Sequence, residues 1–269
     1  MKPVKEPAPA KLNLALHVRG KLADGRHRLE TLFAFCTDGD IVSAEPSDSL
    51  NVDVVGPFAP DLHSSQPNLV DVAARLLAEA AGVDPKVRIV LEKRLPVASG
   101  IGGGSADAAA TLRLLTSMWK IDPAHASRVA PCIGSDVPAC LLSMTARGDA
   151  AGDQLRLVQD AFVSGLPVLL VNPLIPLGTG EVFARWDGVD RGPLGDWREG
   201  RNDLEEPARS LVPAVGDVLR WLDARPGADV VRMSGSGATC FALFEGESSR
   251  DAAAAQVPRE WWHMATFLR

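Results

Sequence analysis

The chain has 269 residues, 46% of them apolar and 23% charged, which suits one large or two modest soluble domains. Its formal net charge is −6 with the signs interspersed, so we expect no nucleic-acid partner and no membrane surface, although a small basic pocket can still bind phosphate. The four cysteines lack a CxxC pair and the proline-rich residues 1–10 lack an apolar core, so we expect reduced thiols and a cytoplasmic protein.

The first predicted element is a strand over residues 11–19. Leucine or valine at every second position places Lys11, Asn13 and His17 together on the opposite face. A turn is predicted at residues 23–25. The next strand, Thr31–Ala44, is expected to bend at a turn over residues 38–40, where the sequence reads Asp-Gly-Asp.

The middle of the chain predicts a helix, a strand and a second helix. Asn68 is a candidate cap for the first helix, which Gly82 ends. The alternating strand at residues 87–91 leads into a glycine-rich run, and an alanine-rich helix is predicted from Ala106 to about Trp119.

The last third of the chain again mixes strands and helices. After a domain joint at residues 165–167, we expect a strand at 168–171, helices from 179, around 202–211 and at 215–222, and two strands flanking residues 234–237. The sequence therefore predicts an α+β fold with two domains, residues 1–164 and 165–269, and a cleft between them.

The glycine-rich run, residues 99–105, has three possible interpretations. Small residues before a helix let backbone amides approach an anion, and the helix start adds unpaired N–H groups. A P-loop is excluded because no lysine follows the glycines, and a dinucleotide-binding loop fits poorly because Ser105 stands where its third glycine belongs. The third interpretation is a flexible turn without a ligand. The flanking strand and helix favour phosphate binding.

Most other polar candidates have ordinary local explanations. Asp136 precedes Val137-Pro138 at a predicted helix start, where a carboxylate is typically a cap. Lys11 is a lone lysine in a strand, usually a solvated edge residue, whereas an asparagine such as Asn13 is unfavourable in a strand. Taken locally, His27 is a turn histidine, and Thr179 and Phe183 are a helix cap and a core residue.

Four segments in register resemble one enzyme family. The run over residues 96–106, PVASGIGGGSA, resembles the phosphate loop of the GHMP kinases. Residues 8–14 (APAKLNL), 134–138 (GSDVP) and 232–241 (RMSGSGATCF) narrow the likeness to the 4-diphosphocytidyl-2-C-methyl-D-erythritol kinase family. The resemblance implies an N-terminal domain like the second domain of ribosomal protein S5 and a ferredoxin-like C-terminal domain.

The resemblance also implies a role for each matching residue. Asp136 matches the catalytic aspartate, and Lys11 is implied to pair with it and to face the transferred phosphate. Asn13 is implied to bind the substrate's polyol, His27 to read the cytosine edge, and Phe183 to stack on the base with Thr179 nearby. The implied nucleotide-binding residues are Asn68, Pro96, Val97, Ala98, Ser99, Gly100, Ile101, Gly102, Gly103, Gly104, Ser105 and Ala106.

One position departs from the family. The residue before His27 is commonly tyrosine, which stacks on cytosine, and here it is Arg26. Either the Arg26 guanidinium lies over the base, which we predict, or it points to solvent and leaves the base to Phe183 and His27.

The resemblance leaves three rival functions. They are a homoserine or mevalonate kinase, a non-catalytic regulator on the same fold, and an RNA-binding module. The first is disfavoured by the segments at 23–27 and 232–241, the second by the retention of Lys11 and Asp136, and the third by the acidic charge balance.

The expected ligands are ATP with its Mg²⁺ and a small-molecule substrate. The five histidines lie far apart and no HExxH motif occurs, so no metal bound by protein side chains alone is expected. We expect a monomer or a weak homodimer.

Overall fold

The computed structural model describes residues 3–62, 67–158 and 162–269. His63, one of the five histidines, lies outside these ranges. The strands are β1 Val4–Lys21, β2 His27–Pro46, β3 Asn51–Val55, β4 Val87–Glu92, β5 Ala146–Asp149, β6 Gln154–Leu157, β7 Pro167–Asn172, β8 Ala228–Met233, β9 Cys240–Phe244 and β10 Trp262–Phe267. The helices are α1 Leu69–Ala81, α2 Gly103–Trp119, α3 Ala124–Ile133, α4 Val137–Leu142, α5 Thr179–Ala184, α6 Glu205–Leu211, α7 Ala214–Asp223 and α8 Glu247–Ala254. The predicted α+β class is confirmed.

The chain forms two compact units. The first holds the described residues of 1–10, 38–97 and 102–143, and the second holds residues 11–37, 98–101 and the described residues of 144–269. β1 and β2 each begin in one unit and end in the other. Each unit combines several separate segments of the chain, so the two units are not divided at one point in the sequence. The domain boundary at residues 164 and 165 therefore stays a prediction.

The first unit packs helices beside a short sheet. β4 pairs antiparallel with residues 41–46 of β2 and parallel with β3. α1 packs against α2 and α3, and α2 packs against α4. α1 begins and ends as its sequence predicts: the Asn68 side chain accepts a hydrogen bond from the Val70 amide, and Gly82 ends the helix in the left-handed conformation at φ +64°.

The predicted turn at residues 38–40 is wrong, because β2 runs without interruption from His27 to Pro46. Gly39 has a different use there. A Cβ on Gly39 would lie 2.1 Å from the carbonyl oxygen of Ala8, so any side chain would collide with the neighbouring backbone. The glycine permits a close approach of two chain segments and not a reversal of the chain.

The second unit contains a four-stranded antiparallel sheet in the order β10-β7-β9-β8. In chain order its elements read strand, helices, two strands, helix, strand, which is the ferredoxin-like arrangement implied by the resemblance. All six residues of β7 are buried, as expected for a central strand. Leu169 and Val171 of this strand pack in a core with Val215 and Leu222 of α7 and Phe244 of β9.

The second unit also contains a small antiparallel ladder. Residues 31–33 of β2 pair with residues 146–148 of β5, which pairs in turn with β6. Within the described residues, no helix is both long and apolar enough to span a membrane.

Candidate functional site

The predicted phosphate loop ends in the first turn of α2. That helix begins at Gly103 and not at Ala106 as predicted, so residues 103–105 are helical. Gly102 precedes the helix in the left-handed conformation at φ +65°, and the Ala106 amide donates to its carbonyl oxygen at 2.8 Å. The first amides of a helix lack acceptors within the helix, and they are available to an anion.

Gly100 is held by a second glycine-rich segment, residues 234–237, which we call the serine-glycine loop. A Cβ on Gly100 would lie 2.4 Å from the carbonyl oxygen of Ser234 and 2.7 Å from the backbone nitrogen of Gly237. The Ser234 hydroxyl donates to the Gly100 carbonyl oxygen at 3.0 Å, and the Thr239 amide donates to the Ser99 carbonyl oxygen at 3.1 Å. Gly100 is therefore required for packing between loops, which the sequence did not indicate.

Lys11 and Asn13 lie side by side on β1, as the alternating pattern predicts. The Lys11 ammonium donates to Oδ1 of Asn13 at 2.8 Å and lies 5.2 Å from the centre of the Phe33 ring. The Asn13 amide group donates to the Thr31 hydroxyl at 2.8 Å, and that hydroxyl donates to the Ala15 carbonyl oxygen at 2.7 Å. Both side chains are only 3% exposed, so this chain of hydrogen bonds fixes their direction.

Backbone contacts bring this part of β1 to both loops. The Lys11 amide donates to the Ile101 carbonyl oxygen at 2.9 Å, and the Asn13 amide donates to the Ser234 hydroxyl at 3.2 Å. The second unit thus gathers Lys11, Asn13, residues 98–101 and the serine-glycine loop in one place.

The third residue predicted on this face, His17, is held by backbone hydrogen bonds at both of its ring nitrogens. The backbone amide of Arg201 donates to Nε2 of His17 at 3.3 Å, so Nδ1 carries the hydrogen and donates to the Gly192 carbonyl oxygen at 3.1 Å. Burial lowers the pKa of His17 below its ordinary value.

Asp136 directly precedes α4 in the first unit. Its side chain makes no capping hydrogen bond to the helix, and its backbone is already helical at φ −86° and ψ −14°. The explanation favoured by local sequence, a helix cap, therefore lacks its defining contact. Asp136 is half-buried.

His27 and Phe183, both predicted to contact the base, lie together in the second unit. Their ring centroids are 4.8 Å apart with planes inclined by 30°, a stacked arrangement. Trp186, which sequence analysis missed, meets His27 edge-on with ring centroids 5.6 Å apart and lies three residues after Phe183, just past the end of α5. Burial lowers the pKa of His27, and the charge of Lys21 lowers it further.

Arg26 is held by carboxylates on the surface. Its Nε lies 2.8 Å from Oδ2 of Asp24 and its Nη1 lies 3.2 Å from Oδ2 of Asp153. The Arg26 side chain is 54% exposed, so solvent screens both pairs. Elsewhere in this unit, the Thr179 and Ser236 hydroxyls lie 2.9 Å apart, which links Thr179 to the serine-glycine loop.

The first unit contains a buried charge cluster that sequence analysis missed: Lys93, Asp40 and Asp107. The Lys93 ammonium lies 2.9 Å from Oδ2 of Asp107 and also contacts Oδ2 of Asp40. All three side chains are at most 3% exposed. One available signal was the single acidic residue among the alanines of α2, although no local pattern connects it to Lys93 or Asp40.

The cluster has one ammonium for two carboxyl groups. Burial raises the pKa of Asp107 to about 8, with Lys93 opposing this shift and the charge of Asp40 adding to it. Burial would lower the pKa of Lys93, but the charges of Asp107 and Asp40 raise it overall. Burial therefore favours the protonated form of Asp107.

The described residues contain no group of three or more His, Cys, Asp or Glu side chains arranged to hold a metal ion. Asn68 is occupied as the cap of α1.

Comparisons with known proteins identify the family of this chain. The family model of the GHMP kinases N terminal domain matches residues 68–144, and that of the GHMP kinases C terminal matches residues 189–263. The chain is 52% identical to the 4-diphosphocytidyl-2-C-methyl-D-erythritol kinase of Rhizorhabdus wittichii, over 98% of this chain and 94% of that protein.

Solved structures give the same result. A crystal structure of a 4-(cytidine 5'-diphospho)-2C-methyl-D-erythritol kinase superposes with a TM-score of 0.85 at 33% identity, covering 98% of this chain and 99% of that one. The homoserine kinase of Cytophaga hutchinsonii has a TM-score of 0.72 at 19% identity, covering 100% and 96%, and shares the fold alone. This chain is an ATP-dependent small-molecule kinase. It belongs to the 4-diphosphocytidyl-2-C-methyl-D-erythritol kinase family of the GHMP kinases.

Proposed function

We propose that this kinase transfers the γ-phosphoryl group of ATP to the 2-hydroxyl of 4-diphosphocytidyl-2-C-methyl-D-erythritol. This places it in the non-mevalonate route to isoprenoid precursors. The observation that carries the proposal is the 52% identity to a kinase of that name over 98% of the chain.

The triphosphate is proposed to bind along residues 96–106. The support comes from the first turn of α2, whose free amides and helix dipole favour a negatively charged group. Mg²⁺ would enter with the nucleotide and spread the charge of its phosphates, and the Ser105 hydroxyl in this first turn would bind a phosphate oxygen or that ion. Asn68 is proposed to touch the nucleotide in addition to capping α1.

Asp136 is proposed as the proton acceptor for the attacking hydroxyl. Phosphoryl transfer depends mainly on positioning and charge stabilisation, with a carboxylate near the nucleophile. Support comes from the position of Asp136 directly before α4, in the segment 134–138 that resembles the family's motif. Lys11 is proposed to carry positive charge to the transferred phosphoryl group, and its hydrogen bond to Asn13 supports a fixed orientation.

The substrate is proposed to bind through its polyol and its base separately. Asn13 would bind the polyol, since Thr31 already orients its amide group. His27 would read the cytosine edge, Phe183 would stack on the ring with Thr179 nearby, and Arg26 would cover the other face. The aromatic contact of His27 with Phe183 supports a base site at this point.

The remaining expectations are proposals as well. We propose a cytoplasmic monomer or weak homodimer that binds neither nucleic acid nor membrane, in keeping with the net charge of −6. The homoserine and mevalonate kinase alternatives are not favoured, although the Cytophaga hutchinsonii homoserine kinase superposes at a TM-score of 0.72. At 19% identity that likeness carries no substrate assignment.

A coupled ADP-release assay tests the proposal. The purified chain is given Mg-ATP with the cytidyl substrate, with mevalonate, with homoserine, or with no acceptor. We expect ADP release with the cytidyl substrate at a rate far above the other three. Equal or faster turnover with mevalonate or homoserine would overturn the substrate assignment, and an Asp136→Asn preparation made in parallel controls for contaminating kinases.

A further inference from the structure

Lys93 lies directly behind the first turn of α2. A Cβ on Gly103, the first residue of that helix, would lie 3.0 Å from the Lys93 ammonium. Asp107 stands on the next turn of the same helix and accepts from that ammonium at 2.9 Å. The ammonium also contacts Asp40 on β2, so it ties the start of the helix to the sheet of the first unit.

The hydrogen bonds of the cluster distinguish its two carboxyl groups. Oδ1 of Asp40 accepts hydrogen bonds from the backbone amides of Arg94 at 2.5 Å and Leu95 at 2.8 Å. Among the described residues, Oδ1 of Asp107 is buried and has no hydrogen-bond partner. A buried oxygen without a partner costs more for a charged carboxylate than for a neutral carboxyl group, so this geometry favours the protonated form of Asp107.

We propose that Lys93 is a positioning residue for the nucleotide: it anchors the phosphate-binding turn to the sheet behind it and balances the charge of the carboxyl groups there. This inference rests on the proposed binding of the triphosphate at α2. When Asp107 is protonated, the ammonium and the Asp40 carboxylate sum to zero. When Asp107 ionises, the cluster becomes negative directly behind the amides that receive an anion.

Like charges weaken each other's binding most where water does not screen them. The charged groups that act on Asp107 are Lys93, which follows β4, and Asp40 on β2. Lys93 need not touch the nucleotide, because the first turn of α2 would lie between its ammonium and the proposed triphosphate.

The test is calorimetry of the full chain with Mg²⁺ and a non-hydrolysable ATP analogue from pH 7 to 9.5. The terminal phosphate of the nucleotide, with a pKa of about 6, is already ionised over this range. We expect the dissociation constant of the parent to rise by about tenfold as the pH passes the ionisation of Asp107, the size expected for one added charge at this depth. The Asp107→Asn variant should bind like the parent at pH 7 and show no such rise.

Two further variants complete the test. Asp84→Asn removes a surface carboxylate of the same unit that pairs with Lys86, and it should follow the parent at every pH. Asp107→Ala replaces the acid by a residue that is favourable in helices. Like Asp107→Asn, it should show no rise of the dissociation constant with pH. Thermal unfolding at each pH shows whether each variant is folded.

The outcomes separate this inference from the proposed function. A parent whose affinity does not change with pH, or an Asp107→Asn variant with the parent's profile, overturns the inference. In both cases binding and turnover would remain intact, and the proposed function would stand. A parent that does not bind the analogue at any pH overturns both. In steady-state assays the pH response should appear in KM for ATP and leave kcat nearly unchanged.

Discussion

A Cβ on Gly103 would lie 3.0 Å from the ammonium of Lys93, a distance tighter than real Cβ contacts normally allow. Gly103 is helical, and the left-handed backbone of the phosphate loop falls on Gly100 and Gly102. A side chain at position 103 would therefore press against the buried charge cluster. Lys93 cannot move away easily, because Asp40 and Asp107 hold it.

The first prediction follows from this contact. Replacing glycine by alanine inside a helix normally stabilises a protein by about 1 kcal/mol. Gly103→Ala should forfeit that gain, and Gly103→Val should destabilise the chain by about 1–3 kcal/mol through overpacking and weaken nucleotide binding. Urea denaturation and calorimetry with a non-hydrolysable ATP analogue measure the two effects.

Gly104→Ala is the matched control for Gly103. A Cβ there would meet only Cδ1 of Leu69 at 3.4 Å, an ordinary contact. It should gain stability where Gly103→Ala does not. Undiminished nucleotide affinity in a folded Gly103→Val variant would remove this turn from the nucleotide site.

The second prediction concerns Asp136. Asp136→Asn should lower turnover by roughly a hundredfold or more, as loss of a proton acceptor does, and leave folding and nucleotide binding unchanged. Asp122→Asn is the contrasting control, because the Asp122 carboxylate does accept a backbone amide, that of Ala124 at 2.8 Å. The control should keep full turnover. If Asp136→Asn retains turnover near that of the parent, Asp136 is not the proton acceptor.

The third prediction concerns Arg26. Stacking over the base requires its guanidinium to leave Asp24 and Asp153, and exposed ion pairs of this kind are weak enough to exchange. Arg26→Ala should therefore weaken binding of the cytidyl substrate by roughly tenfold, the size of one lost stacking contact, with ATP affinity unchanged. Arg26→Tyr should restore most of the affinity.

Phe183→Ala is the reference for the base site, because its ring already stacks on His27. Titration with the cytidyl substrate measures the affinity of each variant. Unchanged affinity in Arg26→Ala beside a clear loss in Phe183→Ala would mean that His27, Phe183 and Trp186 hold the base without Arg26.

The fourth prediction is a pH dependence of stability at His17. Because burial lowers the pKa of the folded histidine, the unfolded chain takes up a proton first as the pH falls. The contribution of His17 is therefore fully present above about pH 6.5 and is lost as the pH falls below that value towards the folded pKa. Denaturation at pH 7.5, 6.5 and 5.5 should show the parent losing more stability than His17→Gln.

His263→Gln, at an exposed position on β10, controls for the removal of a histidine. It should lose stability with falling pH in parallel with the parent. Parallel curves for the parent and His17→Gln would contradict the role given to burial.

Local chemistry explains what the sequence predicts correctly. Asn68 and Gly82 bound α1 because a cap and a left-handed stop each act within a few residues. The alternation along β1 places Lys11 beside Asn13 because a strand repeats every two residues. Family resemblance, and no local pattern, implies that His27 and Phe183 share one base site, since 156 residues separate them in the chain. The structure places their rings side by side.

Tertiary structure alone decided the rest. Gly39 belongs to an Asp-Gly-Asp sequence that is typical of a turn. The structure shows that a glycine is needed there because the backbone of Ala8, 31 residues earlier in the chain, leaves no room for a side chain. Asp40, Lys93 and Asp107 are each unremarkable in their own segments, and they form a buried charge cluster only when β2, β4 and α2 pack together. Capping and periodicity act between near neighbours in sequence, whereas steric exclusion and the cost of burying charge depend on which distant segments meet.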